Sequence, residues 1–162
     1  MIQYYDAVGA TVLLKDIVGA LEMQSDECRS YLNLNTGEVE TISIDLLSQA
    51  EECDADEEPD LLDWQLPEWE IAKQIVGTDN FKELPTRFDV HECAIMQEFS
   101  QSVRSDRIRN ELLDAIRGSG AFRSFKRTIE RHRIEQAWFA FRGEALRQIA
   151  IEWCEEHDVA WR

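Results

Sequence analysis

The sequence predicts a soluble α+β protein, a small N-terminal strand–helix–hairpin unit followed by a mainly helical C-terminal part. Three observations carry that expectation. An alternating stretch flanks Asn35-Thr36-Gly37, the residue types of a short hairpin loop. Apolar residues recur at spacings of three and four from residue 89 onward. Between them lies a run with seven acids in ten residues, 51–60. The boundary is therefore expected after residue 58: an α+β unit with its acidic linker over 1–58, and a helical domain over 59–162. The two are compatible with packing as one compact domain. At 162 residues and 44% hydrophobic content the chain is long enough to bury a core without staples.

The elements follow in order. Thr11-Val12-Leu13-Leu14 is short, apolar and partly β-branched, which reads as a strand. Asp16 opens a short helix to about Gln24, with Ile17, Val18, Leu21 and Met23 as its apolar face. Residues 28–34 alternate, setting Cys28, Ser30, Leu32 and Leu34 on one side, and Glu38 to Ile42 returns as the second strand. Ser43 is placed to cap a helix that buries Leu46, Leu47 and Ala50. Like charges as dense as those of 51–60 repel, so that run reads as a solvated linker or loop, with a tract that mimics a phosphate backbone or docks on a basic partner as the sharper alternative. Pro67 suits the first turn of a helix that continues through Ile71, Ala72 and Ile75 to Gly77. Residues 78–88, around Leu84-Pro85, read as irregular.

Four helices are expected beyond that point. Asp89 is a candidate cap for the first, striped by Ile95, Met96, Phe99 and Val103. Ser105 caps the second, with Ile108, Leu112, Leu113 and Ile116 inward. The third starts near Gly120 with Phe122, Phe125 and Ile129 on its buried side. The fourth and longest runs from about Ile134 to His157, striped by Trp138, Phe141, Ile149 and Trp153 and widened by Leu146 and Ala150. Phe139 lies off that stripe.

Charge is uneven. The net charge is -16, yet residues 1–92 hold 22 of the 33 acids and 5 of the 17 bases. The chain as a whole repels nucleic acid and anionic membrane. Within it, Arg123, Arg127 and Arg131 fall at i, i+4 and i+8 of one expected helix, with Lys126 beside Arg127. This ridge is the candidate anion- or partner-binding site. Its plainer reading is pairing with Glu130 or with carboxylates elsewhere in the fold, and that is the expected outcome.

The chemistry motifs are mostly missing. There is no phosphate-binding G-x-x-x-x-G-K-[ST], no G-x-G-x-x-G and no serine nucleophile elbow. His91-Glu92-Cys93-Ala94-Ile95 opens like a zinc-protease helix, but Ile95 stands where the second histidine ligand belongs. Cys28, Cys53, Cys93 and Cys154 form no C-x-x-C pair, so they read as reduced thiols, with Cys28, Cys93 and Cys154 expected in the core. No metal and no cofactor is expected. No apolar run approaches the roughly 20 residues that cross a bilayer, and the N-terminus lacks the pattern of a signal peptide. A cytoplasmic protein with no membrane contact is the expectation.

Several blocks carry a resemblance: Leu84-Pro85, Asp89-x-His91-Glu92, Ile95-Met96-x-x-Phe99, Gly120-Ala121-Phe122-Arg123-x-Phe125-Lys126, Trp138-Phe139-x-Phe141-Arg142 and Glu152-Trp153. On these residues the chain resembles a bacterial uncharacterised protein family, UPF0158, over most of its length from the hairpin onward. The resemblance implies a small bacterial cytosolic protein and brings no catalytic residue with it. The expected function is therefore that of a non-enzymatic intracellular interaction or regulatory protein with a protein partner. A nucleic-acid-associated protein using the basic helix at 120–133 is the first alternative, and a small enzyme with a site near His91 and Glu92 the second.

Overall fold

A computed structural model describes residues 9–54 and 59–162. They fall into two compact units, Met1–Thr86 with Ala150–Arg162, and Arg87–Ile149. The sequence predicts a boundary after residue 58. Residues 55–58 of the expected acidic linker lie outside the described residues.

The first unit is built on a three-stranded antiparallel sheet. Strand β1 (Cys28–Asn33) pairs with β2 (Val39–Ser43) on one side and with β3 (Phe81–Glu83) on the other. The hairpin is thus as expected, and its loop is held locally. Asn33 Oδ1 accepts from the amides of Asn35 and Thr36, and the Gly37 amide donates to Asn33 O at 2.8 Å. Gly37 has φ +77°, and a Cβ there would stand 2.5 Å from Thr11 O, so both conformation and space require glycine. The third strand was not foreseen. The sequence predicts irregular backbone over 78–88, yet the Leu34 amide donates to Asn80 O and the Leu84 amide to Ser30 O, at 2.8 and 2.9 Å, zipping a three-residue strand onto β1. A strand that short has no alternation to reveal it.

Helix α1 (Leu14–Glu22) buries Leu14, Ile17 and Leu21. Met23, expected on that face, lies past the helix end and is exposed. The expected strand at 11–14 is reduced to one parallel bridge, Val12 with Trp161, because Leu14 already begins the helix. Helix α2 (Ile44–Glu52) follows β2 directly, and α3 (Leu66–Gly77) carries Pro67 in its first turn. Ser43 stands at the N-cap of α2 without making a side-chain cap; its amide instead donates to Glu68 Oε1 at 2.9 Å. Ile42, Leu46, Leu47, Trp69 and Ala72 form one apolar cluster, which ties α3 to the hairpin. That shared core is why α3 belongs to the first unit and not to a separate helical part.

The second unit contains α4 (Glu92–Ser102), α5 (Asp106–Ala115), α6 (Ala121–Arg131) and the first part of α7 (Glu135–Glu156). The Ser105 hydroxyl caps α5 through the Ile108 amide, as the sequence predicts. Helix α4 starts after His91, two residues beyond the expected cap at Asp89. Its core is aromatic. The Phe99 ring meets Phe125, Trp138 and Phe141 edge-on, with centroids 6.3, 5.4 and 5.5 Å away, and Phe125 meets Trp138 at 4.9 Å. Met96, Leu112 and Ile129 complete it. Arg133 joins α6 to α7 at φ 55°, closed by the Ile134 amide donating back to Ile129 O.

Two expectations about burial fail here. Cys93 is exposed; of the cysteines only Cys154 is buried, where burial pushes its thiol up to about 11. Phe122 is 58% exposed, because α6 is rotated to bury Phe125, Thr128 and Ile129. Thr128 tolerates that position because its hydroxyl donates to Ser124 O at 2.9 Å.

Candidate functional site

A groove of about 370 Å³ opens in the second unit, lined from α4, α6 and α7. Helical spacing determines which side chains reach it. On α6, Phe122, Lys126 and Glu130 follow at i, i+4 and i+8 along the groove side, with Phe125 and Ile129 behind them. On α7, Trp138, Phe139 and Arg142 line the facing wall. Met96 and Glu92 of α4 line it as well. Phe122 and Phe139 stay 58% and 63% exposed at this groove. Large apolar side chains left open to water beside a hollow are the usual mark of a contact surface.

One polar device is built into the lining. Arg142 Nε donates to Glu92 Oε1 at 3.0 Å, and Nη2 to the same oxygen at 2.5 Å. Both side chains are three-quarters buried. A forked guanidinium–carboxylate contact of this kind fixes orientation as well as neutralising both charges. It links α4 to α7.

The basic ridge lies on α6: Lys126 lines the groove, and Arg123, Arg127 and Arg131 lie one row round from it. Arg123, Lys126, Arg127 and Arg131 are all exposed. Arg131 does what the sequence reading expected of the whole ridge: Nη2 donates to Glu111 Oε2 at 2.6 Å. Arg123, Lys126 and Arg127 form no ion pair among the described residues, so the expected internal pairing holds for one of the four. Glu111 also takes hydrogen bonds from His132 Nε2 at 2.6 Å and Arg107 Nε at 3.2 Å. Those donors, His132 first, lower its carboxyl to about 2.

His91 is an exposed residue at the N-cap of α4, and Glu92 beside it is engaged by Arg142. Among the described residues no group of three His, Cys, Asp or Glu side chains could hold a metal ion. No helix among them is long and apolar enough to cross a membrane. The sequence singled out the ridge, Phe139 and Glu92 separately. It missed that one groove gathers Phe139 and Glu92 with Lys126 of the ridge, because that needs the rotation of α6 and the closure of α7 onto α4.

Comparison with known proteins adds a family. A family model described as an uncharacterised protein family, UPF0158, matches residues 10–161. A UPF0158 protein of Pseudomonas aeruginosa is 29% identical over 66 residues, covering 40% of this chain. The chain spans 43% of that relative's length in the match. No solved structure matches.

Proposed function

For a chain that belongs to the uncharacterised protein family UPF0158, we propose a non-enzymatic role inside the cell: the groove of the second unit docks an acidic, amphipathic segment of a protein partner. The observation that carries this reading is the pairing of two open phenylalanines, Phe122 and Phe139, with three cations that form no ion pair among the described residues, Arg123, Lys126 and Arg127. Apolar side chains of the partner would cover the two rings, as amphipathic segments do in hydrophobic grooves. Its acidic flank would meet the cations, which steers encounter and selects against basic partners. Beneath them the Glu92–Arg142 pair is closed; Glu130 and Glu135 also line the groove, so the acidic flank would meet Lys126 in the lining and Arg123 and Arg127 beside it on α6.

Selection of displayed random peptides on the full chain tests the reading. Acidic peptides with leucine or aromatic residues are expected to be enriched. The enrichment should vanish on a Phe122→Ser, Phe139→Ser double variant, whose exposed positions leave the core intact. Enrichment indifferent to both substitutions would contradict the docking site.

The second reading is association with nucleic acid along α6. It is favoured by the same three open cations with Phe122 between turns, the aromatic-plus-cation pattern that stacks bases and contacts phosphates. The whole-chain charge of -16 weighs against it. Retention of single-stranded DNA that weakens steeply with salt and fails in an Arg123→Glu, Arg127→Glu variant would favour this reading over the first.

A further inference from the structure

The first unit carries a surface that complements the groove of the second. Leu62 and Trp64 are 61% and 70% exposed, Leu62 at the N-cap of the 3-10 turn Asp63–Gln65 and Trp64 within it. The turn is fixed locally: the Leu62 amide donates to Gln65 Oε1 at 3.0 Å, and the Gln65 amide to Leu62 O at 2.8 Å. Two large apolar side chains are thus held out on a closed turn, which lowers the ordering cost of inserting them elsewhere. Their surroundings are acidic. Asp60 and Asp63 flank Leu62, Glu51, Glu52 and Asp54 precede it, and no basic residue occurs between Arg29 and Lys73.

We infer that the acidic segment docking in the groove is supplied by a second copy of this chain, with Leu62 and Trp64 of one copy covering Phe122 and Phe139 of the other. The inference rests on the docking reading above and names its partner. Charge complementarity selects this occupant. Asp60 and Asp63 bring carboxylates to Arg123, Lys126 and Arg127, which form no ion pair among the described residues. The net charge of -16 opposes the approach of two copies, but at physiological salt it is screened beyond about 8 Å, so local complementarity decides at contact. Because turn and groove are different surfaces, each contact is heterologous. Two copies close on themselves only by exchanging turns reciprocally; otherwise the contact propagates.

Sedimentation of the full chain over a concentration series provides the test, using Trp64→Ser and Phe122→Ser variants whose helix content is checked by circular dichroism. The mass of the parent should rise with concentration. Either substitution should move the midpoint at least about tenfold higher, as loss of an aromatic anchor does. An equimolar mixture of the two variants should recover association, because each supplies the half the other lacks. A parent that stays monomeric throughout, variants that associate like the parent, or a mixture no better than its components would overturn the inference. If the parent stays monomeric while selected acidic peptides still bind the groove, self-docking fails and the docking reading stands. Loss of both would contradict a docking site in the groove.

Discussion

Glu92 and Arg142 are 50 positions apart in sequence and meet in a forked ion pair, with Arg142 Nη2 2.5 Å from Glu92 Oε1 and Nε 3.0 Å from the same oxygen. Each side chain retains a quarter of its exposure. The pair joins the start of α4 to α7 and forms part of the groove lining.

Removing either partner leaves the other charge three-quarters buried without its counter-ion. A double-mutant cycle with Glu92→Gln and Arg142→Met should return a coupling of about 1–2 kcal/mol in chemical denaturation. Arg142→Met should also weaken binding of an acidic peptide more than Glu92→Gln does, because it bares a carboxylate in the groove. Purely additive stabilities would mean the pair is not formed in solution.

The aromatic cluster offers a stability prediction. Phe99 is 4% exposed and touches three aromatic rings. Phe99→Ala should cost about 3–5 kcal/mol, a large part of a total of about 5–15 kcal/mol. Phe139→Ala, with its ring open to solvent, should change stability by less than about 0.5 kcal/mol. Similar melting of the two variants would show that α7 is rotated from the orientation described.

How much of this was legible in the sequence depends on the range of the forces involved. The hairpin, the Ser105 cap and the proline entry of α3 are set by neighbours in sequence, and they were read correctly. Strand β3 and the attachment of α3 to the hairpin core depend on partners tens of residues away, and local pattern does not record them. Phe122 shows the same limit on a finer scale. Spacing alone put it with Phe125 and Ile129, but Thr128 took the buried position by satisfying its hydroxyl within the helix. That rotation by a fraction of a turn is what opens Phe122 to the groove. The ridge was legible as a pattern; its division, among the described residues, into one paired cation and three open ones required the place of Glu111 on α5.

Glu111 makes a pH prediction. Its carboxyl is lowered to about 2 by His132 and the arginines, from an ordinary value of 4.5. A carboxylate held below its unfolded value contributes stability that is complete above about 4.5 and disappears as pH falls through about 2. Thermal midpoints of the parent and of Glu111→Gln should therefore differ most near neutral pH and converge across that acid window. A gap that persists unchanged to pH 2 would show that the carboxylate charge is not what binds α5 to α6.

The central claim is that the groove takes an acidic amphipathic protein segment. The most direct measurement is an NMR titration of the full chain with a short peptide of alternating leucine and aspartate pairs, beside a lysine-for-aspartate peptide and a single-stranded oligonucleotide. Resonances of the Met96 methyl, the Trp138 indole N–H and the Phe122 and Phe139 rings should shift with the acidic peptide and stay unmoved by the lysine peptide. Shifts confined to the α6 cations, produced by the oligonucleotide and abolished by salt, would contradict the account, as would an acidic peptide that leaves all four groove signals in place.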